Sequence, residues 1–440
     1  MVVNKFGGLK TGWLHPFILP NLVGLATGIL KNPGSLLIPF IMWFNPTPFF
    51  FDYPLFAGWS QQDILAVYLK ESYLNFFSII ATYIGFILTK IQPIKIKFYP
   101  PRQLKPKIII VFVIALAIGF YLLQLQGGIT ESISNIGKGR FRALENLRHF
   151  TAIIGLTPYV FILWYLFRNK IIAKWYFWVM LLLSCTLQFI IIGSRGGTVF
   201  PLVVLTISWI LINKKIPIIR IIALGLTILV LIGLLGEIRK SSWSTTDGRA
   251  DFSALMEFNI SESLQTAQED IQSRPNSTLG IFGYVPNRVN HLWGETYVGV
   301  VTFFVPRFIW KDKPRGVGAY AGAMIWGGRD NAKNYTAASI PASAVAEAYW
   351  NFSFPGVFIA FFIFGSYLRW LANFFQKYSN YGLVKIFYII TIFSLNGPSS
   401  TSIVPYIQQV IFIILLGIIL GVLRPFSKQK VSNLNYNSFR

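Results

Sequence analysis

The sequence has little charge and almost no cysteine. Charged residues make up 12% of its 440 residues, whereas hydrophobic residues make up 54%, and the mean hydropathy is +0.56. Ordinary soluble domains are about a quarter charged, so this composition predicts a polytopic membrane protein. The single cysteine, Cys185, lies inside an apolar run, which excludes a disulfide framework and a cysteine-based metal site.

Metal and nucleotide motifs are also missing. The three histidines, His15, His149 and His291, form no H-x-x-H or H-E-x-x-H pair, so no zinc site is expected. There is no GxGxxG, P-loop or nucleophile elbow, and no D-x-D in the segments predicted to be external, which argues against nucleotide-dependent chemistry. We therefore predict neither a metal nor a cofactor. The net charge of +23 lies mostly in short connectors, so no nucleic-acid partner is expected.

Long apolar runs occupy most of the chain. A membrane-spanning helix needs about twenty apolar residues. The first two candidates are short and interrupted by Pro and Gly, so they can instead form one span and a re-entrant piece. We predict an all-α membrane protein with about 10–12 transmembrane helices. The candidate spans are 14–30, 35–51, 64–89, 107–126, 149–167, 173–192, 197–213, 216–238, 343–370, 381–396 and 403–423.

Clusters of Lys and Arg without acidic neighbours predict the orientation. The connector 90–107 holds six basic residues and no acid, and four further clusters follow near 168–174, 214–220, 369–385 and 424–430. An even number of candidate spans separates each cluster from the next. All five clusters therefore fall on one face, which the positive-inside rule makes cytoplasmic.

One long polar segment divides the chain into four parts. We predict N-terminal transmembrane helices over 1–238, a large external loop over 239–342, C-terminal transmembrane helices over 343–424 and a cytoplasmic tail over 425–440. The loop holds most of the sixteen acidic residues. Loops of this length are usually functional, so we expect the loop to form the polar half of a membrane active site.

Several arginines fall on the predicted external face, against the topological bias. Arg195 lies in the tight turn IIGSRGG, where small residues let two helix ends approach. A guanidinium there suits phosphate oxygens, although it can also be an interfacial anchor. Arg140 and Arg142 precede the span near His149. They either assist Arg195 in binding phosphate or simply form a solvated helix start.

The segment PRFIWKDKPRG is cationic, aromatic and stiffened by proline. It supplies Arg307, Lys313 and Arg315 as further candidates for phosphate binding. The alternative is an amphipathic segment that holds its cations and Trp310 among the lipid headgroups. The two interpretations are compatible, because a lipid-linked pyrophosphate arrives at that depth.

Three side chains are candidates for proton transfer. Glu347 lies about one turn into a predicted span with no cation nearby in sequence, where a carboxylate suits general-base work or else makes a helix-packing hydrogen bond. Glu295 and His291 lie in NRVNHLWGETY, a polar and aromatic mixture that suits sugar binding. An isolated histidine is more often structural, so His291 is a candidate both for proton transfer and for a structural role.

Three segments of the sequence resemble a known family. They are IIGSRGG at a helix end, GETYVGVVTFFVPRFIWKDKP late in the loop, and AEAYWNFSFPGVFIAFFIFG at the start of the next span. Together they resemble the oligosaccharide repeat-unit polymerases, the Wzy-type O-antigen and capsule polymerases of bacterial envelopes. Ser353 and Pro355 depart from the family's usual opening of that span.

The resemblance implies a fold like the C-type membrane glycosyltransferases and a site on the external face of the bacterial plasma membrane. It implies polymerisation of oligosaccharide units carried on undecaprenyl pyrophosphate, with membrane lipids and a chain-length regulator as partners. A good leaving group removes the need for a metal if arginines neutralise its charge. The implied pyrophosphate ligands are Arg195 and Arg307, supported by the other external cations, and Glu347 or Glu295 would deprotonate the acceptor.

Other functions remain open at this point. An O-antigen ligase uses the same chemistry, and we expect it to depend on a histidine in the loop, here His291. Another lipid-linked transferase is a further possibility. A flippase or transporter would be expected to show internal repeats with interrupted helices in matching positions. No such repeat is visible, and the long asymmetric loop favours an enzyme.

Overall fold

The computed structural model describes residues 59–101, 103–134, 148–192, 195–213, 277–305, 309–324, 340, 342–395 and 397–423. Within these ranges the regular structure is helical, apart from one isolated bridge between Phe98 and Leu423. A short 3-10 helix covers Asn169–Ala173. The α-helices are α1 Gln61–Leu88, α2 Leu104–Leu125, α3 Gly128–Ser134, α4 Arg148–Phe167, α5 Trp175–Ile192, α6 Arg195–Asn213, α7 Ser277–Tyr284, α8 Glu295–Val301, α9 Val317–Gly322, α10 Ala344–Tyr378, α11 Gly382–Ser394 and α12 Ser400–Ile419.

Every predicted span that falls in the described residues is a helix. These are α1, α2, α4, α5, α6, α10, α11 and α12. Five of them, α1, α2, α5, α10 and α12, are long and apolar enough to cross a membrane. The predicted spans 14–30, 35–51 and 216–238 lie outside the described residues. The prediction of an all-α membrane protein is thus confirmed at the level of helix content and apolar length.

Serines cap three helices at the predicted external end of the bundle. Ser60 and Asp63 form a capping box at the start of α1, with each side chain bonded to the other residue's backbone N–H. Ser343 caps α10 by accepting from the backbone N–H of Ala346, and Ser399 caps α12 through the N–H of Thr401. These caps satisfy N–H groups that would otherwise lack intrahelical partners.

Helices α1 and α10 pack side by side and run in the same direction. Glycines bring the two backbones together, because a side chain at Gly85 would meet the carbonyl oxygen of Phe362, and one at Gly365 would meet that of Thr82. Small residues allow such close packing between membrane helices. The predicted topology also starts both spans at the external face. Contacts pair residues in ascending order along both helices: Lys70 with Tyr349, Phe77 with Phe358 and Phe86 with Arg369.

The connectors that carry basic clusters meet at one end of the bundle. The Tyr99 N–H donates to the Val422 carbonyl over 2.9 Å, and the Ile96 N–H donates to the Tyr378 hydroxyl over 3.0 Å. Gly382 lies against Phe167 at the start of α11. The described parts of these connectors are therefore neighbours, as the prediction of one cytoplasmic face requires.

The outer surface of the bundle is strongly apolar. On α2 the side chains of Ile110, Ile114 and Phe120 are more than half exposed. In the five long apolar helices, most residues are not buried inside the protein. Contiguous apolar surface of this extent is rare on soluble monomers, and lipid chains are its natural solvent.

The end of the predicted external loop belongs to the core. Leu279, Ile281 and Phe282 of α7 are buried, and the Phe282 ring packs edge-on against Tyr349 of α10 at 5.7 Å. Within the predicted loop, residues 277–305 and 309–324 thus include short helices with buried apolar side chains. Residues STLGIFGYV are apolar but too few to span a bilayer, so they bury their side chains against α1 and α10 instead.

Candidate functional site

A break in α10 organises the predicted external end of the bundle. Phe352 has φ −142° and ψ 23°, and Ser353 has φ 58° and ψ −151°, so the helical path is interrupted after Asn351. Pro355 follows the break, lacks an N–H and cannot bond the Asn351 carbonyl in the regular pattern. Irregular backbone at membrane depth is tolerated where it is buried in protein or lines a cavity.

The broken helix binds the loop that precedes α8. The Trp350 carbonyl accepts from the Leu292 N–H over 3.0 Å and lies 3.0 Å from Nδ1 of His291. The Trp350 indole N–H donates to the Asn290 carbonyl over 3.1 Å. Segments about sixty residues apart in sequence are therefore held together by one residue of α10.

This contact determines the tautomer of His291. A carbonyl oxygen only accepts, so Nδ1 of His291 must carry the proton that bonds Trp350. In the neutral imidazole, Nε2 then has the free lone pair and can accept a proton. The ring is half-buried and packs edge-on against Trp293 and Tyr349.

Glu347 lies in a buried polar cluster on the first two turns of α10. The residue is 0% exposed. Its Oε2 accepts from the Ser399 hydroxyl over 2.6 Å and from the Ser400 N–H over 2.9 Å. Its Oε1 has no hydrogen-bond partner within the described residues. Glu347 thus joins α10 to the cap of α12, across about fifty residues of sequence.

Asn351 and Tyr297 complete this cluster from neighbouring elements. One turn after Glu347, the Asn351 side-chain amide donates to the Thr296 hydroxyl of α8 over 2.8 Å. The Tyr297 hydroxyl donates to the Pro398 carbonyl over 3.1 Å. Burial, with a smaller contribution from Glu347, raises the pKa of Tyr297, so its hydroxyl stays a donor.

Lys70 attaches α1 to the same assembly. Its ammonium group donates to the Phe282 carbonyl over 2.9 Å and to the Val285 carbonyl over 3.2 Å. It also lies 4.2 Å from the centroid of the Tyr349 ring. A lysine inside an apolar span therefore finds its partners at the end of α7 and on α10.

Of the predicted phosphate ligands, Lys313 and Arg315 are those whose side chains belong to the described residues. Lys313 donates to the carbonyls of Phe303 and Val305, both over 3.0 Å, and so folds its own segment. Arg315 is half-buried just before α9. Arg195 is the first residue of α6, and its side chain lies outside the described residues. Arg140, Arg142 and Arg307 also lie outside the described residues.

The predicted acid–base residues lie around the broken part of α10. Glu347 is in the buried cluster, His291 contacts the Trp350 carbonyl, and Glu295 is a half-buried residue at the start of α8. Sequence reasoning missed Ser399 and Lys70. For Lys70 a signal was present, since ionisable residues inside spans are functional candidates. For Ser399 nothing beyond its place in an external turn pointed to Glu347.

Comparison with protein-family models, curated proteins and solved structures finds no match to this chain. A function can therefore be proposed only from the chemistry of these residues and from the sequence resemblance described above.

Proposed function

We propose that this protein is a membrane-embedded glycosyltransferase that polymerises oligosaccharide repeat units carried on undecaprenyl pyrophosphate. It would act at the outer face of the bacterial plasma membrane without a metal ion. The product would be an O-antigen, capsule or exopolysaccharide chain. The fold would be of the C-type membrane glycosyltransferase kind.

One observation carries the proposal: two of the segments that resemble the polymerase family pack together in space. Thr296 and Tyr297 come from GETYVG, while Asn351 and Phe352 come from AEAYWNF. Thr296 bonds Asn351 over 2.8 Å, and the Tyr297 ring stacks parallel to the Phe352 ring at 6.4 Å. Because these segments lie about fifty residues apart, their packing supports a shared role at one site.

The proposed chemistry is a displacement at an anomeric carbon. The bond from that carbon to the pyrophosphate oxygen breaks, and a bond to an acceptor hydroxyl oxygen forms. The hydroxyl proton passes to a base on the protein, and the electron pair of the broken bond leaves with the lipid pyrophosphate. Arg195 and Arg307, with Arg140, Arg142, Lys313 and Arg315, are the proposed partners of that leaving charge.

Three side chains are candidates for the base that accepts the hydroxyl proton. His291 offers an unprotonated Nε2 in its neutral form, because Nδ1 is committed to the Trp350 carbonyl. Glu347 offers a carboxylate with one oxygen, Oε1, that has no hydrogen-bond partner within the described residues. Glu295 is a third, half-buried carboxylate at the start of α8. Their conservative variants, His291→Gln, Glu347→Gln and Glu295→Gln, separate the three roles.

The test is extension of a defined substrate by the purified protein. Undecaprenyl-pyrophosphate-linked repeat units are incubated with the full chain in excess EDTA, and the products are separated by size. We expect a ladder of products, since cations of the protein replace the metal in stabilising the leaving group. Activity that is lost with chelator and restored by Mg²⁺ would overturn the metal-independent mechanism. Translocation of the substrate without lengthening would reject the polymerase in favour of a flippase.

A ligase is the second candidate, and the fixed tautomer of His291 favours it. Such an enzyme transfers a finished polymer to a lipid acceptor and would depend on a histidine base. The same assay distinguishes the two, because a ligase consumes polymer and acceptor lipid yet leaves single repeat units unextended. His291→Gln should then abolish transfer, whereas Glu347→Gln should retain it.

A further inference from the structure

A cleft of about 320 Å³ opens beside the start of α1, and Lys70 is one of its lining residues. Its walls are formed by the first turns of α1 and by the segment that follows α7. Apolar side chains of Ala66, Val67 and Phe282 line part of it. Trp59 and Asp63 from one side, and Asn287 and Arg288 from the other, complete the lining.

The contacts of Lys70 remove it as an anion ligand in this cleft. Two of its three N–H groups are directed to backbone carbonyls, and the Tyr349 ring lies against the ammonium. Most of its N–H groups therefore hold the wall of the cleft. Of the described residues that line the cleft, a phosphate would chiefly meet the guanidinium of Arg288 and the carboxylate of Asp63.

The remaining polar groups offer both donors and acceptors. The Arg288 guanidinium is exposed and lies 5.5 Å from the Trp59 ring and 5.3 Å from the Tyr284 ring, so its orientation is restrained. Asp63 uses Oδ2 for its bonds to Ser60, and Oδ1 has no hydrogen bond within the described residues. Asn287 is exposed and adds an amide donor and acceptor.

We propose that this cleft binds an uncharged sugar ring of the glycan, as a subsite distinct from the predicted pyrophosphate ligands. A pyranose presents hydroxyls that both donate and accept, which matches a carboxylate, an amide and a guanidinium on facing walls. Its C–H face matches the apolar lining. A volume of 320 Å³ is at the lower end of the range of about 300–1,000 Å³ that ligand pockets occupy. This proposal rests on the proposed function only for the choice of glycan.

The experiment measures binding separately from polymerisation. The probe is the repeat-unit oligosaccharide released by mild acid from the lipid-linked intermediates of the producing cells. Binding to the full-length protein in detergent is followed by saturation-transfer NMR. Ala66→Trp blocks the cleft from an exposed position, and Asn287→Ala removes one amide. Matched controls are Ala117→Trp, on the exposed apolar face of α2, and Asn373→Ala, at the other end of α10.

We expect Ala66→Trp and Asn287→Ala to weaken oligosaccharide binding at least about tenfold, as loss of one or two hydrogen bonds or of the space predicts. The control variants should bind like the wild type. Absence of binding to the wild-type protein, or equal binding by Ala66→Trp, would overturn the proposal. The proposal would also be overturned if inorganic pyrophosphate competed with the oligosaccharide in the wild type and Ala66→Trp abolished that competition. The cleft would then be an anion site.

The two proposals can fail separately. A polymer ladder together with binding that Ala66→Trp leaves unchanged would reject the sugar subsite and keep the polymerase. Binding that Ala66→Trp abolishes, in a protein that never lengthens its substrate, would keep the sugar subsite and reject the polymerase.

Discussion

At the scale of single residues, Glu347 holds the most consequential position described. Its carboxyl group is buried, and one of its oxygens receives both the Ser399 hydroxyl and the Ser400 N–H. A side chain that lacks an acceptor would leave the Ser400 N–H buried without its acceptor, and the Ser399 hydroxyl would keep only the Thr401 hydroxyl within reach. Glu347 therefore has a structural role in any mechanism. A test of its catalytic role must separate an effect on the reaction from an effect on stability.

Two variants of Glu347 make that separation. Glu347→Ala should lower the free energy of unfolding by about 2–4 kcal/mol, because two buried donors lose their acceptor. Glu347→Gln keeps an acceptor oxygen and should lose less. If the carboxylate is the base, the glutamine variant should still slow extension, while binding of the lipid-linked donor substrate stays nearly intact. Thermal unfolding in detergent, substrate binding and product ladders measure the three quantities.

The exposed residue Asp312 provides the control, since Asp312→Ala should change neither stability nor rate. An extension rate of Glu347→Gln equal to that of the wild type would transfer the base to His291 or Glu295. Equal stability of Glu347→Ala and the wild type would show that the cluster with Ser399 contributes nothing.

At the scale of elements, the pair α1 and α10 forms the frame of the site. The first turns of both helices carry the polar groups, while their later turns pack through glycines at Gly85 and Gly365. The break at Phe352 and Ser353 lies between these two regions. Close packing of the later turns of α1 and α10 thus positions the irregular part of α10 against the loop that precedes α8.

Gly365→Ala should test this packing. Its new methyl group would meet the Thr82 carbonyl, part of a backbone that cannot rotate away, so α1 and α10 must move apart. We expect a loss of about 1–3 kcal/mol in the free energy of unfolding, measured by thermal unfolding in detergent. Gly155→Ala is the matched control, because its methyl group meets its nearest neighbour at an ordinary 3.5 Å. That variant should be neutral or stabilised by up to about 1 kcal/mol, and equal stability of the two variants would contradict the packing argument.

At the scale of the whole molecule, the described parts of the basic connectors lie at one end of the bundle and the break in α10 lies towards the other. Lys97 lies in the connector near Val422, and Asp312 lies between α8 and α9. The positive-inside rule places the first in the cytoplasm. The same rule then predicts that the segment that holds Asp312 lies outside.

Cysteine labelling measures this arrangement directly. In a Cys185→Ser background, a membrane-impermeant maleimide should label Asp312→Cys in intact cells. Lys97→Cys should react only after the membrane is permeabilised, because the bilayer separates the two sites. Both positions are exposed, so permeabilised cells provide the control for reactivity. Labelling of both sites in intact cells would reject the topology, and with it an active site on the external face.

The sequence by itself determined the class of the protein and the places of its described spans. A bilayer selects each segment by its own apolar length, so α1, α2 and α5 are visible without knowledge of their neighbours. The basic connectors are equally local signals, and their described parts do meet at one end. Pro355 is a local signal too, since a missing N–H acts on its own helix, but no break in α10 was predicted from it.

Tertiary structure alone decided which polar groups meet. Glu347 bonds Ser399, His291 bonds the Trp350 carbonyl, and Lys70 bonds the end of α7. None of these pairs is readable from spacing, because the partners are about 50 to 215 residues apart. Each pairing depends on how helices pack and on which buried donor or acceptor needs a partner there. Hydropathy sums over a segment, whereas a hydrogen bond needs two particular atoms within about 3 Å of each other.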